Sequence, residues 1–203
     1  GTFHMGPSDE DRAYAFSARI RSVSISGFWM DATEITNNEY RQFVQWVRDS
    51  VVARKMGYVK AGADGNEYVD WAKMKTMKWN DPKVMEQLSS TDVILPPDDR
   101  IFGKKEIDPT KIAFHSEVFD LKEAAKRENA GKPRSKFIVK KDVQIYPDTL
   151  AWIRDFAYSY NEPMTKRYFS HPAFGNYPVV GVSWKQATAF CEWRTHYLNA
   201  FLD

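Results

Sequence analysis

The chain has 203 residues, 43% of them hydrophobic and 28% charged, which suits one sizeable core or two small ones and argues against wholesale disorder. A net charge of +2 gives no electrostatic case for nucleic acid, and the single cysteine, Cys191, excludes an intramolecular disulfide. No apolar run reaches the roughly 18 residues of a membrane-crossing helix, and no basic start leads into the apolar stretch of a secretion signal.

The first fifteen residues are polar, and Pro7 with Asp9, Glu10 and Asp11 reads as a surface loop; an acidic trio can also mark a cation site, but a solvated loop is the commoner outcome. Residues 19–25 alternate apolar and polar, with Val23 and Ile25 on one side. Phe28 and Met30 continue with opposite parity, and a bulge at Gly27 would return all four to one face. A helix is then written out with its cap. Thr36 followed by Glu39 is a capping box, and Tyr40, Phe43, Val44, Val47 and Val51 recur at helical spacing until about Met56, where Gly57 ends the run.

From Tyr58 to about Asn80 the pattern dissolves into mixed polar sequence, with a turn-rich stretch at 61–66. Tyr68, Trp71, Met74 and Met77 fall at helical spacing. Asp81-Pro82 opens a short helix to Leu88 that stops at Ser89-Ser90-Thr91, and 96–99 is a further break. Asp120 and Glu123 form a second capping box at the head of a charged helix that Gly131 can close. Residues 136–140 and 143–146 read as two short strands. Residues 51–146 hold 19 Lys or Arg against 15 Asp or Glu, a modest basic excess able to steer an acidic partner or simply to face solvent.

Residues 145–156 fit either a helix, through Leu150, Ile153 and Ala157, or a strand through Leu150, Trp152 and Arg154. An aromatic loop follows at 158–163, and Pro163, Pro172 and Pro178 keep the next stretch irregular. Val179, Val180 and Val182 suit a buried strand entered at Pro178. Ser183 and Gln186 make a third capping box, and Ala187, Phe190, Cys191, Arg194 and Leu198 trace the face of a helix expected to pack beside the first.

Two blocks, 1–57 and 148–198, resemble the formylglycine-generating enzyme, or sulfatase-modifying factor, family. The first carries Gly1-Thr2-Phe3-His4-Met5-Gly6, then Phe28-Trp29-Met30-Asp31, then Glu34-Ile35-Thr36-Asn37-Asn38-Glu39-Tyr40. The second carries Pro178-Val179-Val180, Val182-Ser183-Trp184 and Phe190-Cys191 two residues before Trp193. The strings around 28–51 and 146–184, including Tyr160-Asn161-Glu162-Pro163-Met164, are similar to a branch of the family, the K-type lipoproteins of gliding-motility and type IX secretion machinery. The resemblance implies an α+β fold, formylglycine-generating-enzyme-like and distantly C-type-lectin-like, present over 1–203 as a partial first half with an insertion at 58–146. A half-domain of this kind is expected to leave apolar helix faces uncovered. The branch implies a non-catalytic structural subunit that joins an N-type subunit in a large ring. Contacts with other secretion proteins, including an M motor subunit, and a lipid anchor holding it to the periplasmic side of the outer membrane are implied as well.

The resemblance implies that the family's enzymes oxidise a substrate cysteine with two cysteines from the second half of the domain, after these blocks, and a thiol pair or thiol-bound copper needs two sulfurs. Cys191 stands alone, between Phe190 and Leu198 on the traced face, and reads as a small buried hydrophobe. His4, His115, His171 and His196 show no metal-ligand spacing, and Glu34, a candidate carboxylate partner of Glu10 and Asp31, is explained by its place ahead of a helix. There is no phosphate loop and no Gly-x-Ser-x-Gly elbow, so the expectation is a non-enzyme without cofactor or metal. Trp71, Trp79, Tyr158 and Tyr160 are the expected partner-binding residues, since Trp and Tyr dominate interface energetics; a core role is the competing reading. The alternatives are a fragment of a formylglycine-generating oxidase and a calcium-dependent ligand-binding module, the latter without a recognisable calcium loop.

Overall fold

The computed structural model describes residues 1–7, 19–62, 67–154 and 157–202, in two units, 1–34 and 35–203. The acidic trio at 9–11 lies outside the described residues, as do residues 63–66 of the turn-rich stretch. In the first unit β1 (Thr2–Met5) pairs antiparallel with β2 (Arg21–Ser24), in register from Thr2↔Ser24 to Met5↔Arg21. Thr2 and Ser24 hydroxyls meet across the pair at 2.8 Å, and the Gly1 ammonium donates to the Ile25 carbonyl at 2.8 Å. The expected bulge at Gly27 is not formed. β2 ends at Ser24, where its four-residue partner is used up, so Phe28 and Met30 lie beyond any ladder.

The second unit is organised around α1 (Asn37–Lys55). Its cap is the expected box: Thr36 N–H donates to Glu39 Oε2 at 2.8 Å and Glu39 N–H returns to Thr36 Oγ1 at 3.3 Å. Met56 caps the other end, and Gly57, at φ +69°, takes the left-handed step past it. Tyr40, Phe43, Val44 and Val47 bury one side of the first half, whereas Val52, Ala53 and Met56 bury roughly the opposite side of the second. One helix therefore serves two clusters.

The first cluster joins the early part of α1 to Ile112, Phe114, Ile145 and Phe169, and to Ala189, Phe190 and Trp193 of the last helix. Its centre is aromatic: Phe43 lies 5.4 Å from the Phe114 ring, 5.7 Å from Phe190 and 5.2 Å from Trp193, centroid to centroid. The buried Tyr40 hydroxyl donates to the Ile145 carbonyl at 2.9 Å, and burial pushes its phenol well above the usual range.

The second cluster packs Val52, Ala53 and Met56 against Met74, Leu88, Val93 and Ile94. The stretch read as mixed polar sequence holds a small hairpin, β3 (Val59–Ala61) with β4 (Glu67–Val69), so Tyr68 is a strand residue and only the later part of its helical series becomes α2 (Trp71–Thr76). α3 (Pro82–Ser89) starts and stops as its Asp-Pro head and Ser-Ser-Thr tail prescribe. Asp70, 4% exposed, caps α2 and takes the Lys60 ammonium at 3.0 Å. That Lys60 bond, with backbone donors, holds its carboxyl below the usual aspartate range against the opposing effect of burial. A depressed folded pKa gives stability that is complete above the unfolded value of about 4 and fades as pH falls through the lower folded value. Asp70→Asn is expected to melt below the parent chain at pH 6, with the gap closing below about pH 4. Thermal melts from pH 6 to 2 check this, and a gap that persists unchanged into acid would remove the ion pair as its cause.

A ribbon that the sequence showed only in part completes the unit. β5 (Ala113–Phe119) pairs with β6 (Ile138–Gln144), from Ala113↔Gln144 to Phe119↔Ile138. The two short strands expected at 136–140 and 143–146 are one strand. Its charged middle is held across the ribbon, with Lys140 on Glu117 at 2.7 Å and Asp142 on His115 at 2.9 Å. Between the strands the expected charged helix is a single turn, α4 (Leu121–Ala124). Asp120 accepts from Glu123 N–H, but its own N–H goes to the Phe137 carbonyl and Glu123 turns to Lys126, so the reciprocal half of the box is missing.

The helical alternative holds after residue 150: α5 (Ala151–Arg154) is one turn, with 155 and 156 outside the described residues. The expected buried strand at 179–182 is not formed. Val179, Val180 and Val182 are half-buried, and the segment keeps a single bridge, Pro178↔Thr36, because its groups bond to other elements. Val179 N–H donates to the Ile35 carbonyl, Tyr177 accepts from Asn37 N–H, and Gly181 accepts from Asp148 N–H. The last helix, α6 (Trp184–Leu202), begins with the expected Ser183–Gln186 box and packs beside α1 through Tyr40–Phe190 and Trp46–Trp193 ring contacts.

Candidate partner-binding surface

The four aromatic residues singled out in the sequence divide into two pairs. Trp71, at the start of α2, lies 5.4 Å from the Trp46 ring and is half-buried against the second cluster. Trp79 packs on the same cluster, with the Arg48 guanidinium 4.4 Å above its ring. Tyr158 and Tyr160 are 96% and 100% exposed. Their loop is tied back by Asn161, whose amide donates to the Trp152 carbonyl at 3.1 Å, and by Trp152 packing edge-on to Tyr168. Tyr160 has φ 47°, a left-handed conformation that costs an aromatic residue roughly 1–2 kcal/mol and holds its ring outward. No ring contact among the described residues joins the two pairs.

α6 corrects another expectation. The face that enters the core is Ala189, Phe190 and Trp193, with the Tyr197 ring tilted against Trp193 at 5.6 Å. Cys191 is one step of about 100° round the helix from Phe190 and is exposed, not a buried hydrophobe. Ala187 and Leu198, read as core-facing, share its outer stripe with Trp184 and Leu202. The helix is apolar on both sides, so periodicity could not choose between them. The expectation of an uncovered apolar helix face is met here. Glu192, which no local pattern singles out, accepts from Ser116 Oγ at 2.6 Å and Glu117 N–H at 2.8 Å and so fastens α6 along the outer side of β5.

The four histidines have separate surroundings. His4 meets Ser22 on the hairpin, His115 lies between Asp142 and Glu117, His171 accepts from Ala173 N–H and His196 lies 3.9 Å from Glu192. Among the described residues no three His, Cys, Asp or Glu side chains are arranged to hold a metal ion, and Glu10 falls outside them. An open cleft of about 400 Å³ lies beside α2 and α3, lined by Tyr58, Lys73, Met77, Lys78, Asp81 and Val84, without a thiol or an imidazole. No helix among the described residues is long and apolar enough to cross a membrane.

Comparison with known proteins bears on this arrangement of two helices, two hydrophobic clusters and intervening ribbon. No curated protein and no solved structure matches the chain. A family model does: the sulfatase-modifying factor enzyme 1-like domain matches residues 1–198, running through both signature blocks and the stretch between them. The chain therefore belongs to the sulfatase-modifying factor enzyme 1-like family.

Proposed function

We propose that this member of the family is a non-catalytic structural subunit of the periplasmic type IX secretion and gliding-motility apparatus, of the K-type lipoprotein branch. In this reading it assembles with an N-type subunit into a large ring, meets the M motor subunit, and is held at the outer membrane by a lipid anchor. The strings at 28–51 and 146–184 support the branch, and residues 58–146 are the insertion that distinguishes it from the enzymes. The observation that carries the reading is the pair Tyr158 and Tyr160, exposed on a pinned loop. Trp71 and Trp79, expected beside them, are engaged with the second cluster and contribute their outer edges only.

The test is co-elution of the full-length protein with the purified N-type subunit. A stable complex is expected, and replacing Tyr158 and Tyr160 together with alanine is expected to weaken it about tenfold or more while leaving the melting temperature unchanged, because neither ring packs on the core. Absence of any complex with the full-length protein overturns the subunit reading. A complex indifferent to both tyrosines moves the surface elsewhere. Conversion of a cysteine-containing peptide to an aldehyde would overturn the non-catalytic assignment.

A further inference from the structure

We infer that the outer edge of β6 is a docking site for an extended acidic polypeptide segment, which adds to the β5–β6 ribbon as a third strand. The inference stands on the ribbon alone and holds whether or not the chain serves a secretion apparatus.

The ribbon has two outer edges, and they are treated differently. In an antiparallel pair alternate residues turn both backbone groups to the partner, and the residues between turn theirs outward. Here Ile145 N–H donates to the Ile112 carbonyl and Asp120 N–H to the Phe137 carbonyl, which fixes the phase. Ser116 and Lys141 face each other, while Glu117 on β5 and Ile138, Lys140 and Asp142 on β6 point their backbone groups away. On β5 the outward N–H of Glu117 is taken by the Glu192 carboxylate of α6, so that edge is closed at its middle. On β6 the Ile138 N–H is taken by the Ser135 carbonyl of the turn before it, and no described group bonds the backbone of Lys140 or Asp142 from outside the ribbon. A strand whose edge is open from Lys140 onward is the geometry that accepts an added strand.

Charge selects the occupant. Residues 121–141 hold eight Lys or Arg against Glu123 and Glu128 alone. Lys126 and Lys140 are paired, with Glu123 and Glu117, whereas Lys122, Arg127, Arg134, Lys136 and Lys141 have no ion-pair partner among the described residues. These five are exposed, and Arg134, Lys136 and Lys141 sit in or directly before β6. Lysines on an edge repel the same edge of a second copy, which disfavours β6–β6 pairing, and they attract a strand with carboxylates at alternate positions. A flat anionic lipid surface would satisfy the ammonium groups but leave the outward N–H and C=O groups of β6 unanswered.

The 203-residue chain is titrated with an eight-residue peptide of alternating Val and Glu, blocked at both ends, with the Val-Lys peptide and anionic phosphatidylserine vesicles as comparison probes. The Val-Glu peptide is expected to bind, to weaken with salt, and to protect the Lys140 and Asp142 amides from hydrogen exchange. Lys140→Pro removes an outward N–H without removing a ladder bond, so the fold tolerates it. It is expected to bind the peptide about tenfold less tightly than Lys140→Ala, which loses the same charge. Equal affinity of these two variants, no binding of the Val-Glu peptide, equal binding of the Val-Lys peptide, or binding to vesicles in preference to the peptide would each overturn the inference.

Discussion

Replacing Phe43 with alanine is expected to destabilise the second unit by roughly 3–5 kcal/mol, the range for removing a fully buried phenylalanine ring. Phe43 is 0% exposed, and rings from α1, β5 and α6 converge on it: Tyr40, Phe114, Phe190 and Trp193. The cost combines lost burial with a cavity that four aromatic neighbours, fixed on α1, β5 and α6, cannot close by small shifts. Since a domain of this size has a total stability of about 5–15 kcal/mol, the variant should retain little cooperative unfolding near body temperature. Denaturant titration followed by tryptophan fluorescence measures it. Phe43→Leu, which keeps most of the volume, should lose much less. A loss below about 1 kcal/mol for the alanine variant would mean that the aromatic cluster is not the core of this unit.

Gly181→Ala should be comparably damaging for a different reason. Gly181 has φ +78°, and a Cβ there would lie 2.2 Å from the Asp148 carbonyl oxygen, far inside contact distance. The left-handed conformation alone costs alanine about 1–2 kcal/mol, and relieving a clash with backbone adds a further 1–3 kcal/mol or so. The only escape is to separate the segments that the Asp148 N–H to Gly181 carbonyl bond, 2.8 Å, holds together. That joint sets the entry to α6, so the variant should lose near-ultraviolet circular dichroism from the aromatic cluster along with stability. Full retention of both would show that the loop before α6 can shift without disturbing the helix.

The parts of this fold that could be read from the sequence are those written locally. Thr36 with Glu39, Asp81 with Pro82, and Ser183 with Gln186 each place a donor or acceptor three residues or fewer from the group it serves, and each starts a helix where expected. The failures lie where the partner is distant in the chain. The polar residues of Ala113–Phe119 are explained only by distant elements: His115 by Asp142 and Glu117 by Lys140 on β6, and Ser116 by Glu192 on α6. Phe190 fits both apolar stripes of α6, and only the rings of α1 choose the one containing Trp193. The exposure of the four candidate aromatics is legible for two of them. Tyr158 and Tyr160 follow from a Pro-bounded loop, whereas the half-burial of Trp71 and Trp79 depends on Trp46 and Arg48, more than twenty residues away.

α1 carries one cluster on one flank of its first half and the other cluster on the reverse flank of its second half. A rod gripped in this manner cannot slide or roll to accommodate one grip without loosening the other, since its turns are rigidly geared by the backbone. The two cores are thereby coupled through a single shaft, and a disturbance at the hairpin-and-helix end around Met74 is felt at the aromatic end around Phe190, with Val51, Ile107 and the Trp46 ring packed between them.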